Sequence, residues 1–144
     1  MNTITSLSEL ESLAGEILKT LPAASARATV LGLSGDLGAG KTTFVQALAR
    51  HLGVTETVTS PTYLILRGYE TGSEQFRHLV HMDAYRIESL SELAPLRFGE
   101  VLVQPQTLVV IEWVERVVAA LPMTVPTLTF TLNPDDSRTI TRSW

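Results

Sequence analysis

The residues richest in chemistry are contiguous. Gly35-Asp36-Leu37-Gly38-Ala39-Gly40-Lys41-Thr42 matches the pattern G-x-x-x-x-G-K-[ST] in full. Glycines let the backbone wrap so closely that successive amide N–H groups point at phosphate oxygens, and a following helix adds its positive N-terminal end. In this pattern the lysine reaches the β- and γ-phosphates, and the hydroxyl after it is placed to ligate Mg²⁺. The expected nucleotide-binding set is therefore Gly35, Asp36, Leu37, Gly38, Ala39, Gly40, Lys41, Thr42 and Thr43. A glycine-rich turn without a ligand is the plain alternative, and the apolar strand before it and helix after it argue against that. Asp36 is expected to point outward, because a carboxylate aimed at phosphate is unfavourable.

Three further stretches can act on a phosphate held there. Thr107 to Glu112 (TLVVIE) ends an apolar run on a carboxylate, where phosphate-loop enzymes hold Mg²⁺ directly or through water. Glu112 is the expected second metal residue beside Thr42; an exposed acid at a strand end is the alternative. His81-Met82-Asp83-Ala84-Tyr85-Arg86 puts His81, Asp83 and Tyr85 on one strand face and Val80, Met82 and Ala84 on the other. The apolar set is expected to face the core, leaving imidazole, carboxylate and phenol together. On this pattern alone, Asp83 is as readily a structural strand-end acid as a catalytic one. Thr59-Ser60-Pro61-Thr62-Tyr63 falls where switch loops sense a γ-phosphate, or simply forms a turn. Trp113 reads as a core aromatic, a nucleotide neighbour or a partner contact.

These groups need a frame. Ser6-Leu7-Ser8-Glu9 reads as a capping box, after a short strand at Thr3 to Thr5, and Leu7, Leu10, Leu13, Ile17 and Leu21 follow at helical spacing. Ala28 to Ser34, the glycine loop, and a helix from Thr42 to Leu52 begin a parallel α/β unit. Thr62 to Tyr69 and Gln75 to Ala84 read as an antiparallel hairpin. Ser89 to Leu96 and Glu115 to Leu121 read as short helices, Thr107 to Ile111 as a central parallel strand, and the tail from TLTFTL onward as a terminal hairpin. The expected fold class is α/β, a P-loop NTPase fold. It has a mixed, mostly parallel sheet with antiparallel hairpin additions and helices on both faces, in one domain over 1–144.

The chain has 144 residues, 44% hydrophobic and 18% charged, without cysteine, and a formal net charge of −4. That length supports a core without staples. The absence of cysteine excludes disulfide frameworks and thiolate metal sites. An acidic chain with a pI near 5.3 argues against a general nucleic-acid-binding face, so no DNA partner is expected. No apolar run approaches the ~20 residues of a membrane span, and the first residues lack the pattern of a secretory signal. The expectation is cytoplasmic, with no membrane partner.

Four motifs in order, GDLGAGKTTF, SPTY, H-x-D-x-Y-R and I-E-W, resemble the TsaE (YjeE) family, small bacterial ATPases of tRNA threonylcarbamoyladenosine biosynthesis. The resemblance implies ATP and Mg²⁺ as cofactors, with Lys41 on the phosphates and Thr42 with Glu112 on the metal. It also implies Thr62 as γ-phosphate and metal sensor, and Asp83 in turnover by orienting the attacking water. Trp113 matches a position linked to function and partner interplay. The implied activity is weak ATP hydrolysis that becomes productive with TsaB and TsaD. Those partners carry the transfer to adenosine 37 of tRNA, so the tRNA is met indirectly. The adenine would be sought near Thr5 to Leu7 and Arg138. One departure is Val114, where the family usually has proline. A small-molecule P-loop kinase is the alternative, with Asp83 accepting a substrate hydroxyl proton. Glu88 to Val103, with Arg97 its only arginine, is short for the lid and acceptor segment that such kinases carry.

Overall fold

The computed structural model describes residues 1–59 and 65–144. Its described strands are β1 (Asn2–Ile4), β2 (Thr29–Gly35), β3 (Leu66–Glu70), β4 (His78–Asp83), β5 (Thr107–Glu112), β6 (Thr127–Leu132) and β7 (Arg138–Arg142). They form one sheet in the order β1-β7-β6-β2-β5-β4-β3. The pairings β6–β2, β2–β5 and β5–β4 are parallel, while β1–β7, β7–β6 and β4–β3 are antiparallel. The parallel strands make up the centre, but antiparallel pairings equal them in number. Short hairpins join β3 to β4 and β6 to β7, whereas β1 reaches β7 from the far end of the sequence and each parallel pair needs a crossover.

Alternation along the central strands separates two cores. Leu31 and Leu33 of β2, Leu108 and Val110 of β5, and Leu79 of β4 pack under α1 (Leu7–Thr20) and α2 (Lys41–His51). Val30, Val109, Ile111, Val80 and Met82 face the other way, onto α3 (Phe98–Leu102) and neighbouring 3₁₀ segments. Every residue of β5 is buried, as a strand covered on both faces requires. Helical structure thus covers both faces, with the longer helices on one.

Several local expectations shift. Ser6 caps α1 by accepting from the Glu9 amide at 3.2 Å, but the Glu9 carboxylate reaches one residue further back, to the amide and hydroxyl of Thr5 at 2.5 and 2.9 Å. Those Thr5 bonds hold the Glu9 carboxyl below its ordinary pKa. Leu7 is 69% exposed, so the buried stripe of α1 begins at Leu10. Residues 115–121 form two 3₁₀ turns, Val114–Arg116 and Val118–Ala120, rather than an α-helix. Val117, between them at φ −128°, ψ −4°, interrupts the helical path. The expected short helix at Ser89 to Leu96 is a 3₁₀ helix, Leu90–Leu96, capped by Ser89 in a capping box with Glu92.

One glycine is dictated by packing. Gly35 ends β2 at φ +124°, and a Cβ there would stand 2.0 Å from the Phe130 carbonyl oxygen on β6. Gly35→Ala is therefore expected to lower stability by about 3 kcal/mol or more, from strain and a backbone clash together. Urea denaturation measures this; a loss below about 1 kcal/mol would show that the β2–β6 junction yields.

Candidate functional site: a glycine loop facing two acidic strand ends

β2 delivers the chain into the glycine loop, and α2 starts at Lys41 with Gly40 as its N-cap in the left-handed region at φ +100°. A glycine cap contributes no side chain, so no side-chain hydrogen bond covers the leading amides of α2. Those amides and the positive end of the helix dipole form an anion-seeking surface. Asp36 is exposed, as expected for a carboxylate turned away from that surface, and its backbone carbonyl accepts from the Ala39 amide at 3.2 Å. Leu37 is 73% exposed, whereas Ala39 is buried beneath the loop.

Lys41 is 5% exposed, and its ammonium donates to the carbonyls of Gly35 and Asp36, both at 2.7 Å. It also stands 4.4 Å from the centre of the Trp113 ring. Burial pulls its pKa below the ordinary lysine value, while the negative charges of Glu112, Glu115, Asp36 and Asp83 act in the opposite direction.

Parallel pairing of β4 with β5 sets Asp83 opposite Glu112, both at carboxyl ends of strands. The face that holds Leu79, Val110 and Leu108 is the α2 side, so His81, Asp83 and Glu112 all point towards α2. Thr42 donates its hydroxyl to Glu112 Oε1 at 2.7 Å, and His81 Nε2 meets Glu112 Oε2 at 2.8 Å. Glu112 is only 3% exposed; this is no solvated strand-end acid. Asp83 is half-buried and its Oδ1 accepts from the Tyr85 amide at 3.0 Å, which shapes the turn leaving β4.

The expected grouping of His81 with Asp83 and Tyr85 is corrected here. β4 ends at Asp83, so Tyr85 leaves the strand's alternation and its ring packs against Trp113 at 5.0 Å. His81 is fully buried on the α2 side of the sheet and turns to Glu112. Arg116 stacks over Tyr85 and Trp113 at 5.5 and 5.8 Å rather than pairing with a carboxylate among the described residues. No local spacing announces this aromatic–cation stack, because its members lie in the segments that follow two different strands.

Two adjoining clefts result. One is bordered by Gly38, Lys41, Thr42, Asp83, Glu112 and Trp113. The other, of about 220 Å³, lies between Thr5, Ser6 and Leu7 on one side and Ala39, Thr43 and Arg138 on the other. Gly40, Thr43 and Arg138 border both. Thr62, expected at this site, lies outside the described residues. Thr42 and Glu112 present a hydroxyl and a carboxylate, hard oxygen donors suited to Mg²⁺.

Fold and site together define a mixed α/β protein whose glycine loop and helix N-terminus meet two carboxylates at the carboxyl edge of a parallel centre. A sequence model of the family described as "Threonylcarbamoyl adenosine biosynthesis protein TsaE" matches residues 4–142. The chain belongs to the TsaE family. It is 40% identical over 112 residues to the tRNA threonylcarbamoyladenosine biosynthesis protein TsaE of Bacillus subtilis (strain 168), spanning 78% of this chain and 67% of that protein. The Treponema pallidum (strain Nichols) protein of the same description is 40% identical over 113 residues, spanning 78% and 80%. The solved structure described as "Crystal structure of Bacillus subtilus YdiB" superposes with a TM-score of 0.74 at 28% identity, over 98% of this chain and 82% of that one. No helix among the described residues is long and apolar enough to cross a membrane.

Proposed function

We propose that this chain is a single P-loop ATPase domain over 1–144 that binds ATP with Mg²⁺ and hydrolyses it slowly. In this role it supports TsaB- and TsaD-type partners in the cytoplasm as they form N6-threonylcarbamoyladenosine at position 37 of tRNA. The observation that carries the reading is the 2.7 Å bond between Thr42, at the start of α2, and the buried carboxylate of Glu112. A hydroxyl and a strand-end acid meet there beside a helix N-terminus suited to an anion. The family membership adds the pathway.

In this reading the loop amides and the first turn of α2 bind the phosphates. Lys41 exchanges its bonds to Gly35 and Asp36 for phosphate oxygens. Thr42 and Glu112 hold Mg²⁺, which neutralises charge developing on the phosphoryl oxygens. Asp83 orients the attacking water, and Thr62 senses the γ-phosphate. The adenine enters the cleft between Thr5–Leu7 and Arg138, which joins the phosphate cleft at Gly40 and Thr43. Residues 88–103, taken up by the 3₁₀ helix Leu90–Leu96 and the five residues of α3, leave little room for a kinase acceptor segment.

Phosphate release from the purified protein, alone and with a TsaB–TsaD pair, tests the reading. The pair is expected to raise the rate by ~10³-fold or more, the scale of a charge stabiliser supplied in trans. Glu112→Ala should abolish the Mg²⁺ dependence of nucleotide binding. A partner-independent rate would overturn the supporting role, and Mg²⁺-dependent binding retained in Glu112→Ala would overturn the metal assignment.

A further inference from the structure

His81 has no contact with either cleft: its side chain is fully buried, and neither cleft is bordered by it. Yet it is costly to keep. A buried imidazole leaves polar atoms to be satisfied, and an apolar side chain of similar size would fill the space without that cost. Among the described residues nothing hydrogen-bonds its Nδ1, whereas Nε2 meets Glu112 Oε2 at 2.8 Å. Since the partner oxygen belongs to a carboxylate, Nε2 carries the proton and donates. The other lobe of the carboxylate, Oε1, accepts from Thr42 at 2.7 Å. Glu112 is therefore held from both sides, by a helix hydroxyl and by an imidazole on the neighbouring strand.

We propose that His81 is a positioning residue that fixes the rotation of the Glu112 carboxylate, so that Oε1 stays at the α2 N-terminus beside Thr42. The proposal rests on the reading of Glu112 as a Mg²⁺ residue and adds the group that orients it. The β4–β5 register makes this possible. His81 pairs with Val110, two residues before Glu112 on the same face, so the imidazole meets the carboxylate diagonally across adjacent parallel strands. Groups that hydrogen-bond a metal-ligating carboxylate set its direction, and their loss typically costs 10- to 100-fold in metal affinity.

ADP binding titrated over a series of Mg²⁺ concentrations tests this in the wild type, His81→Leu, His81→Gln and Glu112→Gln. His81→Leu is expected to bind ADP alone as the wild type does, and to need roughly 10- to 100-fold more Mg²⁺ for half-maximal tightening. His81→Gln, with an amide donor of comparable reach, is expected to recover most of that loss. Dependence lost in Glu112→Gln but intact in His81→Leu overturns the role of His81 alone. Dependence intact in both overturns the metal reading beneath it. A glutamine variant as impaired as the leucine variant also overturns the proposal, because packing rather than the donor would then matter. If His81→Leu does not fold, long-range ¹⁵N spectra of histidine-labelled wild type decide. The Nε2–H tautomer is expected, with the Nε2 resonance moving when Mg²⁺ is added to the ADP-bound protein; a resonance that stays in place overturns the role.

Discussion

Replacing Lys41 with alanine is expected to weaken ATP binding by on the order of 100-fold or more. The ammonium is the one cation enclosed by the glycine loop among the described residues, and hydrogen bonds between charged groups carry about 1.5–3 kcal/mol each. Calorimetry or displacement of a fluorescent nucleotide measures it, and an affinity within threefold of wild type would remove the phosphate-binding role. The same residue predicts a pH profile. Binding needs the charged ammonium, so affinity is complete on the acid side and falls as pH rises through the Lys41 pKa of the free protein. Burial has lowered that pKa, so the fall begins below the ordinary lysine range. Lys41→Arg should remove this alkaline limb whatever its absolute affinity, because a guanidinium stays charged. Folding responds with the opposite sign. The unfolded chain binds the Lys41 proton more tightly than the folded one, so stability rises with pH between the lowered and the ordinary value.

Asp83→Asn should lose turnover by roughly 10²- to 10⁴-fold while ATP binds as before. Asparagine is the informative replacement, because its side-chain oxygen can still accept from the Tyr85 amide at the turn leaving β4. Alanine would remove that bond too, mixing a local structural loss with a chemical one. Single-turnover phosphate release in the presence of the partner pair reads the chemical step, and nucleotide titration reads binding. Normal turnover in Asp83→Asn would return Asp83 to a strand-end acid. Weakened binding with unchanged turnover would point instead to the turn.

The parts of this site carried by contiguous residues are legible in the amino-acid sequence alone. Gly35 to Thr42 specifies loop, helix start, lysine and hydroxyl within one stretch, because closing a backbone around phosphate is a local act. β5 is equally clear, since Leu108 to Ile111 are four consecutive apolar residues, three of them β-branched, in a run of strand length. What escapes depends on register. Whether the imidazole of His81 turns to Asp83 or to Glu112 depends on how β4 lies against β5, and no spacing within either strand contains that. Tyr85 and Trp113 likewise meet only because two strands end side by side. Leu7 fits the apolar period of α1 yet stays exposed, at the border of the 220 Å³ cleft. The 3₁₀ turns after Trp113 escape for a different reason. Val114, Val117 and Val118 are β-branched and stiff in a helix, and Val117 leaves helical geometry altogether.

The pairing of β1 with β7 has a thermodynamic corollary. Asn2 lies opposite Ile140, so this margin of the sheet closes only when strands from remote parts of the sequence come together, the kind of contact that forms late. The cleft assigned to adenine is walled by both, through Ile4 and Ile140. A base held there would lose part of its wall whenever that margin frays. Any nucleotide held there adds its own binding free energy to the cohesion of the sheet margin.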